Sequence, residues 1–270
     1  MVSVVMPAYN AEKYISEAIE SILNQTFKEF EFIILDDCSK DHTWEIIQNY
    51  AKQDIRIVPI KNETNLYIAE NRNRGLSLVK YKYVIWQDAD DISLASRIEK
   101  QVNFMENHPK VGICGAYIQS FNEKGNLDIR KYATDDATLR KHIFKFSPVA
   151  QPTAILRKEA IEKVGLFNPK YPPAEDIDLS FRIGEYYEFG NIPEILLKYR
   201  EHPTSATHKK LKKQIDSTLE VRRLYMKNPR YHFGPTDYPA YLATKIMIFF
   251  PPAITLPLFK FARNMFIRRH

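Results

Sequence analysis

Apolar and polar positions along the first 120 residues follow two alternating periods. Short apolar runs that end at polar residues predict buried strands, at 2–6, 30–35, 55–60, 81–86 and 111–118. Between them, apolar residues recur at helical spacing and predict helices after Asn10, around 46–50, and over 67–80 and 94–107. We expect Asn10 to cap the first helix. Because strands and helices alternate with short connections, the pattern predicts an α/β fold with a mostly parallel central sheet and helices on both faces.

The pattern changes after residue 120. Residues 121–130 are polar and turn-like around Gly125, and 133–152 are predicted to be irregular. A strand is predicted at 154–158, a helix at 174–187, a strand and turn at 191–200, and a basic helix at 208–227. We expect this half to complete a site that the first half begins.

Composition and charge divide the chain into a mildly acidic front and a basic end. With 44% hydrophobic and 27% charged residues, the chain can bury an ordinary globular core. The net charge is +6, but residues 207–270 hold 13 Lys and Arg against 3 acidic residues, which leaves −4 for residues 1–206. A basic tail can meet anionic lipid or nucleic acid, and a solvated helix without a partner is the alternative.

Cysteine content and the N-terminal residues bear on the compartment. The two cysteines, Cys38 and Cys114, are too few for a disulfide framework and lack metal-ligand spacing, which favours a reducing compartment. The start has no basic segment before its short apolar run, unlike a signal peptide. We therefore expect a cytoplasmic domain.

Three carboxylates follow the predicted strand at 81–86. Asp88, Asp90 and Asp91 stand at its carboxyl end, which is where ligands bind in parallel α/β sheets. Like charges this close repel, and a divalent cation relieves the repulsion because Mg²⁺ and Mn²⁺ accept carboxylate oxygens. The alternative is a solvated acidic turn before the next helix.

Polar groups also follow two other predicted strands. Asp36 and Asp37 can accept hydrogen bonds from a base or from ribose hydroxyls, although acidic residues also commonly start helices. Pro7, Ala8 and Tyr9 follow the first strand. Three neighbouring strand ends thus present polar groups to one crevice, and we expect a ligand there.

Six segments carry a family resemblance, and in chain order they are VSVVMPAYN, LDDCS, ENRNRGL, WQDADD, AEDIDLSFR and LLKYREHPTSAT. In these segments the chain resembles the family-two inverting glycosyltransferases of GT-A fold, which act in bacterial and archaeal polysaccharide or glycoconjugate biosynthesis. The resemblance implies a Rossmann-like sheet in a catalytic domain at 1–207, with a nucleotide-binding half at 1–120 and an acceptor half at 121–207.

The resemblance also implies which residues hold the donor. The implied nucleotide-sugar contacts are Pro7, Ala8, Tyr9, Asp36, Asp37, Arg72, Asp88 and Asp90. Asp88 and Asp90 match the DxD motif, so Asp90 would bind Mn²⁺ or Mg²⁺ directly, and Asp88 would contact the ribose or the metal through water. His202 matches a position that approaches the metal, and Asp91 a supporting position.

A second set of matches lies in the acceptor half. Asp176, with Glu175 beside it, matches the catalytic base, and a carboxylate in the first turn of a helix is expected to stay ionised. Gln151 stands at an acceptor-facing position where many relatives carry His. The implied reaction is inverting, metal-assisted direct displacement, from a nucleoside-diphosphate sugar such as a UDP-sugar to a glycan or lipid-linked acceptor.

Other functions of α/β proteins require different sequence features. A nucleotidyltransferase would carry a Gly-rich basic loop after the first strand, and PAYNAEKY has none. A dehydrogenase would need G-x-G-x-x-G there, which is absent. A catalytically inactive nucleotide-sugar-binding protein or a membrane scaffold stays open, although the intact acidic motifs disfavour an inactive relative.

The C-terminal extension, 208–270, combines basic and apolar residues. The apolar run 246–259 contains three prolines and is too short for a spanning helix, which needs about 20 residues. Its aromatic and basic surroundings suit a helical element on anionic lipid, at the inner face of the cell membrane. Packing on the catalytic domain, or a homodimer contact, is the alternative. We expect no nucleic-acid partner, because no aromatic platform accompanies the lysines.

Overall fold

A single mixed sheet organises the fold in the computed structural model, which describes residues 1–202, 211–247, 249–250 and 255. In this part of the chain the strand order is β3-β2-β1-β4-β8-β6-β9-β5, and β7 pairs with β6. The strands are β1 (Val2–Ala8), β2 (Phe30–Asp36), β3 (Ile57–Lys61), β4 (Tyr83–Trp86), β5 (Ile92–Ser93), β6 (Val111–Asn122), β7 (Gly125–Arg130), β8 (Ile155–Arg157) and β9 (Glu188–Arg200).

Helices cover both faces of this sheet, as predicted. They are α1 (Ile15–Leu23), α2 (Thr43–Gln53), α3 (Tyr67–Leu78), α4 (Arg97–Asn107), α5 (Asp136–His142), α6 (Lys158–Val164), α7 (Glu175–Gly184), α8 (Leu211–Tyr225) and α9 (Tyr238–Met247). Successive β1 residues face opposite sides, so that Val4 packs in the core beneath α1 and Val5 packs in the core with Leu76 of α3.

The strand directions agree with the predicted parallel sheet in the first half and in the β6–β9 pair of the second. β1 pairs in parallel with β2 and β4, and β2 with β3. β8 then enters between β4 and β6 and runs antiparallel to both, which makes the sheet mixed. Its three residues are all buried, a pattern that is the same for either direction, so sequence periodicity could not reveal the reversal.

Several predicted elements differ from the structure. Residues 121–130 form most of the β6–β7 hairpin, whose turn uses Gly125 at φ 117°. The region 133–152 contains α5, capped by Asp135, which accepts from the backbone N–H of Thr138. Asn10 does not cap α1, because its side chain accepts from the backbone N–H of Lys40 and thereby joins the loops after β1 and β2.

The described part of the C-terminal extension packs on the catalytic domain. The Tyr225 ring of α8 stacks on the Phe181 ring of α7 at 4.4 Å between centroids, and Val221 is fully buried in the same core. The predicted basic helix corresponds to α8, while 203–210, 248, 251–254 and 256–270, which include most of the predicted membrane-contacting segment, lie outside the described residues. Within the described ranges, no helix is both long and apolar enough to traverse a bilayer.

Candidate active site

A cleft of about 2020 Å³ opens where the carboxyl ends of β1, β2 and β4 meet. Ala8 at the end of β1 lies beside Asp36 at the end of β2, as expected for parallel neighbours. The cleft is larger than a typical site for one small ligand, so it has room for two substrates. The predicted site residues that line it are Pro7, Ala8, Tyr9, Asp37, Arg72, Asp88, Asp90, Gln151, Glu175, Asp176 and His202.

Two predicted site residues, Asp36 and Asp91, are fully buried and do not line the cleft. Asp36 is the last residue of β2, and its Oδ1 accepts from the backbone N–H of Ser39 at 3.3 Å. Asp36 thus lies behind the cleft wall, and Asp37 is the residue of the pair that lines the cleft. Asp91 Oδ1 accepts from the backbone N–H of Arg200 at 2.9 Å, which is a supporting contact between the acidic motif and β9.

Asp37 is held in the cleft wall by a buried amide network. Its Oδ1 accepts from Asn62 Nδ2 at 2.7 Å and from the backbone N–H of Leu66 at 2.8 Å. Asn62 Nδ2 also donates to Asn71 Oδ1 at 2.9 Å, and Asn71 lines the cleft. Our sequence analysis missed both asparagines, although Asn71 lies within the ENRNRGL segment.

Arg72 connects the two halves of the domain. Its Nη1 lies 3.0 Å from Glu175 Oε1 at the start of α7, and its Nη2 lies 3.7 Å from Asp88 Oδ1 after β4. The side chain is only 9% exposed, and its guanidinium lies 5.7 Å from the Trp86 ring centroid. This arginine therefore brings the acidic motif and the start of α7 to one place in the cleft.

Asp90 meets His202 in the same cleft. Asp90 Oδ2 lies 2.9 Å from His202 Nε2, and the His202 ring centroid lies 5.3 Å from that of Tyr14. Arg200 fixes this arrangement, since its Nε donates to the Asp90 carbonyl at 2.9 Å and its Nη2 to Glu17 at 2.8 Å. We did not identify Arg200 from the sequence, and its position two residues before His202 was the available signal.

The acidic motif suits a divalent cation with few protein ligands. Burial raises the pKa of Asp88; the charge of Asp90 adds to this rise, and the charge of Arg72 opposes it. Burial also raises the pKa of Asp91 well above its usual range. Such crowding is relieved by a cation. No cluster of three or more acidic, His or Cys side chains suited to a metal occurs in the described residues. Asp90 and His202 are the two residues that could hold Mn²⁺ or Mg²⁺, whose other positions substrate phosphate and water could fill.

Asp176 lies in the first turn of α7 and lines the cleft. Burial, followed by the negative charge of Glu175, raises the pKa of Asp176 to about 6, while Arg72 acts in the opposite direction. Burial therefore outweighs the favourable effect of the helix N-terminus on this carboxylate. A pKa of about 6 still leaves the group mainly ionised at neutral pH, as a general base requires.

The opposite wall contains groups suited to an acceptor. Gln151 is 8% exposed, and its Nε2 has no hydrogen-bond partner among the described residues. Tyr117 and Tyr199 line the same region, where aromatic rings can pack against sugars. One face of α8 completes this wall of the cleft. The sequence pattern does not predict this contribution, because residues 208–270 were assigned to a separate extension. The residues of α8 that line the cleft are Leu211, Gln214, Ile215, Thr218 and Arg222.

Comparisons with known proteins agree on the family. The family model described as "Glycosyl transferase family 2" matches residues 3–165. An uncharacterised glycosyltransferase of Methanocaldococcus jannaschii is 35% identical over 88% of this chain and 83% of its own. The UDP-Glc:alpha-D-GlcNAc-diphosphoundecaprenol beta-1,3-glucosyltransferase WfaP of Escherichia coli is 28% identical over 84% of this chain and 88% of its own.

A solved structure supports the fold. S. aureus TarS 1–349 in complex with UDP-GlcNAc superposes with a TM-score of 0.69 at 21% identity, over 92% of this chain and 72% of that one. The family model, the relatives and the fold lead to one conclusion: the chain belongs to glycosyl transferase family 2.

Proposed function

We propose that this glycosyltransferase transfers a sugar from a UDP-sugar to a glycan or lipid-linked acceptor, with inversion at the anomeric carbon and with help from a divalent cation. The observation that carries the proposal is that Asp90 and Asp176 line one cleft and are connected through Arg72 and its carboxylate partners. Direct displacement needs this arrangement, because the leaving diphosphate and the attacking hydroxyl lie on opposite sides of the sugar.

The chain's own residues account for the parts of the reaction. Asp176 would accept the proton of the acceptor hydroxyl, and its raised pKa favours that role near neutral pH. Asp90 and His202 would hold Mn²⁺ or Mg²⁺, which when bound stabilises negative charge on the leaving diphosphate. Arg72 would orient Asp88 and Glu175 around the sugar. Asp37 and its amide network would accept hydrogen bonds from the nucleoside.

The choice of substrates rests on a relative. The E. coli protein WfaP is named for transfer from UDP-glucose to a GlcNAc-diphosphoundecaprenol acceptor, and it aligns with 84% of this chain. A UDP-sugar and a lipid-linked acceptor are therefore the first substrates to test.

The proposal is tested with a panel of nucleotide sugars. We expect one UDP-sugar to be hydrolysed slowly without an acceptor when Mn²⁺ or Mg²⁺ is present, and hydrolysis to stop with EDTA. UDP should also raise the melting temperature in the presence of the metal. An inactive nucleotide-sugar-binding protein would show the stabilisation without hydrolysis. Unchanged hydrolysis in EDTA would contradict the metal assignment.

Membrane contact is a further part of the proposal, and α9 supports it. Five large apolar side chains are exposed in and just after α9, and they are Tyr238, Leu242, Ile246, Phe249 and Phe250. In α9, Leu242 and Ile246 follow Tyr238 at four-residue spacing and so share one face of the helix. We expect co-sedimentation with anionic vesicles and its loss in the Leu242→Ser, Ile246→Ser double variant. Equal sedimentation of the double variant would contradict peripheral binding through α9.

A further inference from the structure

Arg222 is a buried cation without a protein partner in the described part of the chain. The residue is 5% exposed, and its Nε is buried without a hydrogen-bond partner among the described residues. Burial lowers the pKa of Arg222 to about 10, which still leaves the guanidinium charged at neutral pH. Because an unpaired buried charge is costly, buried arginines normally contact an anion. The guanidinium lines the cleft, so a bound anion could provide this contact.

The position of Arg222 follows from how α8 packs on the acceptor half. Ser217 Oγ donates to the Pro172 carbonyl at 3.3 Å, and eight residues later the Tyr225 ring stacks on the Phe181 ring. Helix α8 therefore runs in the same direction as α7, and Arg222 lies between these two contacts along α8. No ion pair joins Arg222 to the acidic first turn of α7 in the described residues.

The walls of the cleft differ in charge. One wall of the cleft is acidic and is lined by Asp37, Asp88, Asp90, Glu175 and Asp176. In the described residues of the opposite wall, 131–152 and 211–222, the lining includes Lys131, Lys145 and Arg222 and no Asp or Glu. Lys145 is paired with Asp237 at 3.1 Å, so Arg222 is the wall's buried cation that lacks a carboxylate partner. Such a wall favours an anionic group of a substrate.

We propose that Arg222, with the Thr218 hydroxyl one turn before it, binds the diphosphate of a lipid-linked acceptor. The assignment rests on the proposed function, in which the donor diphosphate occupies the acidic side with the metal, so that a second anion site belongs to the acceptor. An arginine fork can bind two phosphate oxygens at once. Leu211 and Ile215 continue the same face of α8 along the cleft and pack in a core with Tyr241 and Met247 of α9.

The test is a binding measurement with defined probes on the full chain. Farnesyl diphosphate represents a lipid diphosphate, inorganic pyrophosphate a diphosphate without lipid, and farnesol a lipid without charge. Each is titrated calorimetrically into protein saturated with UDP and Mg²⁺, so that the donor side is filled. The variants are Arg222→Gln and, as a matched control, Arg223→Gln, which removes an equal charge from an exposed neighbouring position.

We expect Arg222→Gln to weaken farnesyl diphosphate binding by about 10–100-fold, the range for a hydrogen bond to a charged group, and to leave farnesol binding unchanged. The melting temperature of the variant should be no lower than that of the parent, because the substitution removes an unpaired buried charge. The Arg223→Gln variant should bind like the parent protein. Equal farnesyl diphosphate affinity in parent and Arg222→Gln, or no binding to the parent, would overturn the proposal. Equal affinity for inorganic pyrophosphate would overturn the lipid assignment.

UDP binding separates this inference from the proposed function. If UDP fails to bind while farnesyl diphosphate binding still depends on Arg222, the donor assignment fails and the anion subsite stands. If UDP binds the parent and the Arg222→Gln variant equally and farnesyl diphosphate binding does not depend on Arg222, the proposed function stands and the subsite is refuted.

Discussion

Replacing Asp176 by Asn removes the proposed base with little change in shape. General-base assistance is typically worth about 10²–10⁴ in rate, or about 3–5 kcal/mol in activation free energy. We therefore expect kcat to fall by about 10²–10⁴ in Asp176→Asn, while the affinity for UDP stays unchanged, because the carboxyl lies on the acceptor side of the sugar. Transfer of a radiolabelled sugar measures kcat, and calorimetry measures UDP binding.

The pH dependence provides a second test of the same residue. Because the pKa of Asp176 is raised to about 6, kcat/KM should rise by about tenfold per pH unit below pH 6 and level off above it. The folded state binds this proton more tightly than the unfolded state, so ionisation of Asp176 costs stability as pH rises from about 4 to about 6. The Asn variant should thus melt no lower than the parent at pH 7.

The control is Glu162→Gln, which removes an exposed carboxylate from α6. It should keep the parent's rate and pH profile. If Asp176→Asn retained near-normal turnover, or if its kcat/KM kept the rise near pH 6, the base assignment would be refuted.

Three further predictions concern stability and metal binding. Arg72→Met leaves the buried Glu175 without its cation and should lower the free energy of unfolding by about 3–5 kcal/mol in urea denaturation, and adding Glu175→Gln should recover part of the loss. His202→Gln should raise the Mn²⁺ concentration for half-maximal activity by at least about tenfold. The control variant His232→Gln, at an exposed position, should not change this concentration. The same Mn²⁺ requirement in the parent and in His202→Gln would contradict a role of His202 in metal binding. Gly75→Ala should cost about 1–3 kcal/mol of stability, because its Cβ would lie 2.6 Å from Val5 Cγ1; an unchanged denaturation midpoint would contradict the close packing of α3 on β1.

The first half of the fold was predictable because each apolar strand there ends at polar residues and is followed by a helix. The edge formed by Ala8, Asp37 and Asp88 follows from that pattern, since parallel strands end on the same side of a sheet. The second half was less accessible. β8 is three residues long and reverses direction, and the hairpin strand β7 is largely exposed and lacks a clear apolar period.

The site residues also differ in how far the sequence predicts them. Asp176 and His202 were predicted through the family motifs, and the structure brings both to the cleft. Asp36 could not be distinguished from Asp37 by spacing, because both are buried and they differ in which one ends the strand and which one lines the cleft. Arg222 belongs to no motif. Its position at the cleft depends on the packing of α8 against α7, a long-range contact that local periodicity does not encode.

The anomeric configuration of the product tests the central claim most directly. Proton NMR of the reaction mixture during the first turnovers, with the donor identified by the panel, distinguishes the two outcomes through the coupling constant of the anomeric proton. Displacement in one step across the cleft between Asp90 and Asp176 predicts a product whose configuration is opposite to that of the donor. A product with retained configuration would contradict it.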